Sequence, residues 1–365
     1  MTHTATRPTM TAEAARAALV ERLMQATTGA LEVFTVYIGD QLGLYDTLEA
    51  RGPVTAADLA RETGTDERYV REWLEQQTVA GILTVVLGGD NPVFMLPPGH
   101  GEVLVNRESL DYLTPLAQLT VGAVKPLDSI VDAFRSGAGV PFEDYGRDLR
   151  EGQARMNRAA FLRQLGQEWL PTVPGLAARL SGPAPVRVAD LGCGAGWSSI
   201  GVAQCYPQAL VDGFDLDEAS VALAREHARH AGVQDRVRFD VRDAGDAALA
   251  GRYDLVMALE CVHDMAQPVR ALETMRRLVK HDGVVFILDE RVADRFDPDA
   301  GGVEPFMYGI SVLHCLPAGR AETPSAATGT VMRTDTLRAY ARDAGFEGAD
   351  VLPIEHPLFR FYQLR

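Results

Sequence analysis

The chain has 365 residues, more than one small core accommodates, so two domains are expected. Its 47% hydrophobic and 23% charged residues are those of an ordinary globular protein, which excludes a low-complexity chain, and no run of about 18 apolar residues suggests a membrane span. A formal net charge of −15 sets a field that repels phosphate backbones and anionic lipid heads, so neither nucleic acid nor a membrane is an expected partner.

Residues 1–11 are polar, contain a proline and read as disordered. They lack the apolar stretch of a secretory signal. Four widely spaced cysteines, Cys193, Cys205, Cys261 and Cys315, form no C-x-x-C pair, so free thiols and a cytoplasmic location are expected.

Residues 12–48 read as helix in two parts. The second, 31–42, is apolar on several faces, which predicts burial on more than one side, against a partner subunit or within the chain. Thr55 is placed to cap a helix over 56–62, Gly64 ends it, and 66–77 forms a second helix. Apolar runs at 82–87 and 93–96 flank the turn Gly88-Gly-Asp-Asn-Pro92. Two helices followed by a hairpin make a winged helix. A DNA role is disfavoured because the second helix carries Asp66, Glu67, Glu72 and Glu75 against Arg68 and Arg71, and the wing holds Asp90 and no base.

Residues 100–180 read as helices cut by prolines, with a mobile connector at 137–142. Ser181-Gly-Pro-Ala-Pro185 marks a boundary. From Val186 a βαβ alternation predicts strands at 186–190, 210–215, 236–241, 253–259 and 283–289, then a helix and two strands, the last at 359–364.

The most informative segment is Val188-Ala-Asp-Leu-Gly-Cys-Gly-Ala-Gly-Trp197. A strand passes through the glycine turn of Gly192, Gly194 and Gly196 into a helix, the nucleotide-binding opening of a doubly wound domain. Absent side chains let backbone N–H groups approach a ligand. Asp215 ends the next strand, where a carboxylate can accept both ribose hydroxyls. The glycines run G-x-G-x-G, which fits dinucleotide binding less well.

Asp190 to Gly196 resembles the first motif of the class I S-adenosylmethionine-dependent methyltransferases. Asp215 and the Phe239-Asp-Val-Arg-Asp243-Ala244 segment resemble its second and third. The resemblance implies an α/β fold: a Rossmann-like seven-stranded methyltransferase domain over 181–365, preceded by a mostly helical winged-helix domain. That preceding module, 12–105, resembles the dimerisation domain of small-molecule O-methyltransferases, which implies a homodimer, with 106–180 as a helical connector lining the substrate pocket. S-adenosylmethionine is the implied cofactor and S-adenosylhomocysteine its product. Asp190, Gly192, Gly194 and Gly196 would lie beside the methionine moiety, Asp215 on the ribose and Leu216 against adenine. Asp243 would accept from the adenine amino group, with Asp240 as an alternative register, and the Ala244 N–H would donate to the ring. Glu260 would face the methionine end.

His263, in Leu259-Glu-Cys-Val-His-Asp264, resembles the histidine base of those O-methyltransferases. A hydroxyl acceptor loses a proton during attack, which calls for a base near neutrality. Glu290, Asp289 or Asp264 would orient it. Tyr308 to Cys315 resembles a substrate-lining segment, which makes Tyr308 and His314 candidate substrate contacts; the following Pro317–Thr330 run departs from the family pattern, so no acceptor carries over. No metal is expected. Three rivals remain: transfer to nitrogen or carbon, non-methylating chemistry on the same cofactor, and a cofactor-sensing winged-helix regulator.

Overall fold

The computed structural model describes residues 10–88, 91–249 and 253–365. The expected disorder of residues 1–11 falls, for 1–9, outside the described residues, as does Asp90 of the wing. The chain divides into two compact units, Met1–Ala117 and Gln118–Arg365.

In the first unit, α1 (Ala12–Gln41) is one continuous helix, capped where Thr11 Oγ1 accepts from the Ala14 N–H. Within the chain 31–42 is only partly buried: Leu31, Ile38 and Leu42 are exposed, and so are Leu19, Val20, Leu23 and Met24 one turn after another upstream. Only its end is anchored. Gly39 lies where a Cβ would strike the Trp73 ring, and Trp73 Nε1 donates to the Thr35 carbonyl at 2.9 Å. After α2 (Leu44–Arg51), α3 (Ala56–Thr63) starts at Thr55, whose hydroxyl accepts from the Asp58 N–H, and α4 (Glu67–Val79) starts at Asp66, which accepts from Arg68 and Tyr69. β1 (Thr84–Val86) pairs antiparallel with β2 (Val93–Met95), completing the winged helix.

The second unit is built on seven strands: β3 (Val186–Leu191), β4 (Ala209–Asp215), β5 (Val237–Val241), β6 (Tyr253–Leu259), β7 (Val279–Glu290), β8 (Ala349–Val351) and β9 (Phe359–Leu364). Their spatial order is β5-β4-β3-β6-β7-β9-β8, parallel except for β9, which runs antiparallel to β7 and β8. β6 is buried at every position, as a central parallel strand covered on both faces must be. β7 begins at Val279, four residues before the predicted start, and its register against β6 shifts between Tyr253 and Leu255.

Chain order reverses at β3, which has β4 on one side and β6 on the other. The carboxyl ends of β3 and β6 therefore form the crevice where such sheets bind ligands. A helical layer covers it. The helix Phe142–Ala160 runs into a π-helix, Phe161–Trp169, whose Phe161 carbonyl lies so close to Gly201 that a Cβ there would stand 2.2 Å from it. The connector expected to be mobile is tied down, since the Val140 N–H donates to Pro317 and Arg320 donates to Gly137.

Candidate active site

A cavity of 680 Å³ opens at this crevice. Gly194 has φ +50 and open space where a Cβ would point, and its N–H donates to Asp215 Oδ2 at 2.8 Å. Gly196, at φ +83, starts the helix Trp197–Cys205 against Phe239, where a Cβ would stand 2.6 Å from the ring. The turn thus needs glycine for conformation at both positions, and at Gly196 for close packing too.

Asp215 accepts from Gly194 on one oxygen and from the Asp217 N–H at 2.9 Å on the other, which leaves each oxygen a further lone pair. Burial pushes its carboxyl above the ordinary range, and these backbone donors pull it part of the way back. Leu216 is 60% exposed and lines the cavity, and Asp243 and Ala244 line it beyond β5. Asp240 does not line it and faces Arg225 instead.

Asp190 lies beneath the floor and does not line it. Its Oδ2 accepts from Ser198 and Ser199 at 2.6 and 2.7 Å, while Oδ1 is buried without a partner. Burial holds this carboxyl at about 6. The two serines, together with Asn157, are contributions that the sequence reading missed. Ser198 and Ser199 follow the glycine turn and could have been noticed; Asn157 comes from a distant helix and carries no local signal.

At the carboxyl end of β6, Glu260 adopts φ +55, a conformation costly for a residue with a Cβ. Its Oε2 accepts from Asn157 Nδ2 at 3.1 Å, and its Oε1 is buried with no partner. Burial raises its carboxyl to about 7 against the pull of Asn157 and His263. The next turn, Val262–Asp264, carries His263, whose Nδ1 lies 2.8 Å from Asp289 Oδ1 on β7. Of the three candidate orienting carboxylates, Asp289 holds this contact. It is fixed in turn by the Glu290 N–H, which donates to the same oxygen. Burial lowers the affinity of His263 for a proton, but Asp289, joined by a hydrogen bond with Cys315, outweighs it and the imidazole sits well above its ordinary pKa. Burial raises Asp264 to about 6 and Glu290 well above the carboxylate range.

His263, Asp289 and Glu290 do not line the cavity; Asp264 does. His314 is buried against Tyr145, with ring centroids 4.6 Å apart, and beside Phe142, a cavity residue. Burial lowers it to about 3, so it is neutral. Tyr308 does not line the cavity, and its hydroxyl accepts from Arg333. Although no ligand spacing is visible in the sequence, His263 forms two groups small enough for a metal ion, with Asp264 and Cys315 and with Asp289 and Glu290. In each the ligand atoms lie within 4.8 Å of one another.

Residues 184–314 match a family model described as a methyltransferase domain, and residues 29–106 match one described as an Rv2258c-like winged helix-turn-helix domain. The chain thus carries a methyltransferase domain preceded by a winged-helix domain. S-adenosylmethionine is the cofactor of that fold. The chain is 29% identical over 208 residues to a ubiquinone biosynthesis O-methyltransferase of Pseudomonas paraeruginosa, a stretch covering 56% of this chain and 80% of that protein. Its fold is similar to that of the mitomycin 7-O-methyltransferase MmcR, with a TM-score of 0.72 at 20% identity over 97% of this chain and 99% of that one. It is also similar to human N-acetylserotonin methyltransferase in complex with S-adenosylmethionine, with a TM-score of 0.70 at 18% identity over 95% and 97% of the two chains.

Proposed function

We propose that the protein transfers a methyl group to a hydroxyl oxygen of a small molecule, with His263 receiving the hydroxyl proton. The observation that carries this reading is the buried His263–Asp289 pair at the carboxyl end of β6, beside the cavity floor of Glu260 and Asp264. The residues present fit the cofactor. The unpartnered Glu260 oxygen suits an ammonium, the free lone pairs of Asp215 suit a ribose diol, and the open side of Gly194 leaves room for a ligand against the backbone. Asp243 and Ala244 are assigned to adenine and Leu216 to its face. Asp190 acts from below, by fixing the helix that begins at Trp197.

Bound S-adenosylmethionine supplies an electrophilic methyl on a good leaving group. The chain's own work is alignment of the acceptor and removal of one proton. Asp289 accepts from Nδ1–H and stabilises the imidazolium that results, and the other ring nitrogen, with Cys315 also hydrogen-bonded to the imidazole, is assigned to receive the hydroxyl proton. His314 and Phe142 are assigned to the acceptor wall; nothing in the geometry brings Tyr308 to it.

A non-methylating reaction is the second reading, because Asp264 and not His263 forms the cavity wall. Incubation with S-adenosylmethionine and a panel of phenols, read by mass spectrometry, separates the two. Gain of one methyl in the acceptor with release of S-adenosylhomocysteine supports methyl transfer, and an altered acceptor without that gain removes it.

We also assign a homodimer through the N-terminal unit, on the exposed apolar residues of α1. The four free thiols suit the cytoplasm. DNA is not assigned as a partner, since both arginines of α4 are paired with its own glutamates, Arg68 with Glu72 and Arg71 with Glu67. No described helix is long and apolar enough to cross a membrane.

A further inference from the structure

Two side chains beside His263 have no task in the methyl-transfer reading. Cys315 is buried and hydrogen-bonded to the imidazole, and Asp264 stands on the cavity wall with no side-chain donor to its carboxylate among the described residues. They reach His263 from two segments. His263 and Asp264 share the turn Val262–Asp264, and Cys315 ends the π-helical turn Ser311–Cys315. The segments are fastened together: the Gly329 N–H donates to the His263 carbonyl at 2.9 Å, and a Cβ on Gly319 would stand 3.0 Å from the Asp264 carbonyl oxygen. An imidazole nitrogen, a thiol sulfur and a carboxylate oxygen are thereby brought within 4.8 Å of one another. Ligands of a tetrahedral Zn2+ stand about 3.5 Å apart, so a small closing of these side chains makes three of the four bonds.

The surroundings complete the arrangement. A metal-bound histidine ordinarily gives its other N–H to a carboxylate, which fixes the ring and raises its basicity. Asp289 holds Nδ1 at 2.8 Å in this way, and the Glu290 N–H holds Asp289 in turn. With Nδ1 so held, Nε2 is the nitrogen left for an ion. Asp289 Oδ2 and Glu290 Oε2 are buried without a donor, neither residue lines the cavity, and neither oxygen is assigned to the cofactor, so a surplus of carboxylate surrounds the imidazole. The other group, His263 with Asp289 and Glu290, would spend Asp289 as a ligand and has no residue on the cavity through which an ion enters; Asp264 gives the first group that path. Among the described residues no such group forms away from His263. Thiolate with imidazole favours Zn2+ and its neighbours over Mg2+ or Ca2+.

We infer that His263 Nε2, Cys315 Sγ and the Asp264 carboxylate form a site for a thiophilic divalent cation of the Zn2+ class, and that an ion bound there switches methyl transfer off. The site rests on its own geometry; the switch rests on the methyl-transfer reading. As the sulfur–metal bond forms, the thiol releases its proton to solvent, and no electron is exchanged. The nitrogen assigned to the hydroxyl proton is then occupied, so the base is lost.

The test uses the full-length protein without an affinity tag, stripped with a chelator and titrated with Co2+ and then Zn2+. One Co2+ per chain is expected, with the near-ultraviolet charge-transfer band of a cobalt–thiolate bond, which an equivalent of Zn2+ discharges. Cys315→Ser is expected to lose the band. Asp289→Asn is expected to keep it and to weaken Zn2+ binding about tenfold to a hundredfold, through lost support of the ring. In the methyl-transfer assay, an equivalent of Zn2+ is expected to lower turnover at least about a hundredfold, the worth of a general base, and excess chelator to restore it. Cys315→Ser, judged against its own metal-free rate, should lose that sensitivity. No band, a band that survives Cys315→Ser, or turnover that bound Zn2+ leaves unchanged or raises overturns the inference. Should Cys315→Ser not fold, Asp264→Asn takes its place, with Zn2+ affinity expected to fall about tenfold and an unchanged affinity overturning the site. Metal-free protein that binds S-adenosylhomocysteine but methylates no hydroxyl overturns the methyl-transfer reading and the switch with it, and the site then stands or falls on the cobalt band.

Discussion

His263 is buried and held by Asp289, with Cys315 as a second hydrogen-bond partner, and Asp289 is the larger influence on its proton. Only the neutral imidazole can take a proton, and Asp289 raises its pKa. The rate should therefore rise with pH along a limb lying above the ordinary histidine value. Asp289→Asn removes the charge that raises it. The limb should then move to lower pH while the plateau falls, because the ring loses its fixed tautomer. A plateau loss without movement of the limb would mean that Asp289 is structural only. His263→Ala should cost about a hundredfold to ten-thousandfold in kcat with cofactor affinity intact, and near-normal turnover would remove the base assignment. Glu260 makes a different prediction. Its folded-state carboxyl is raised to about 7, so the stability linked to it is complete below the unfolded value of roughly 4.3 and is lost as pH rises through its folded value. Glu260→Gln should raise the melting temperature of the cofactor-free protein at about pH 8 more than at about pH 5. It should also weaken S-adenosylhomocysteine binding. A variant that melts lower at both values would contradict this account of the side chain.

Between neighbouring elements, the glycine turn is braced by Ser198 and Ser199, which both donate to Asp190 beneath it. Removing either hydroxyl should destabilise the domain by about 1–3 kcal/mol, since a carboxylate with one oxygen already orphaned loses a donor. Chemical denaturation reads this directly, and no change in midpoint would show the pair to be dispensable. What was legible beforehand followed local rules. The strands β3 to β6 and β9 were visible because short apolar runs end at turn residues, and the cap Thr55 because side-chain acceptors start helices. Contacts between distant elements were not. Nothing near Glu260 announces Asn157, a helix residue more than 100 positions earlier, and the choice of Asp289 over Glu290 depends on which face of β7 meets the β6 turn. For α1 the apolar pattern left two coverings open, a partner subunit or the chain itself, because such a pattern reports that a face is to be covered, not what covers it.

For the whole molecule, the apolar residues of α1 make the state of assembly the first expectation. Light scattering should give a dimer, and replacing Leu23 and Leu31 by glutamate should shift it to monomer while leaving the C-terminal unit folded; an unaltered mass would place the interface elsewhere. The excess negative charge of the chain agrees with a cationic cofactor and sets the sign of the field that any acceptor meets. The account as a whole depends on the glycine turn and Asp215 holding S-adenosylmethionine. The most direct measurement is a calorimetric titration with S-adenosylhomocysteine, comparing the wild type with Asp215→Ala. Saturable one-to-one binding, weakened by about 2 kcal/mol in the variant through loss of charge-assisted hydrogen bonds, is the predicted result. Wild-type protein that does not bind, or a variant that binds equally well, would contradict the account at its centre.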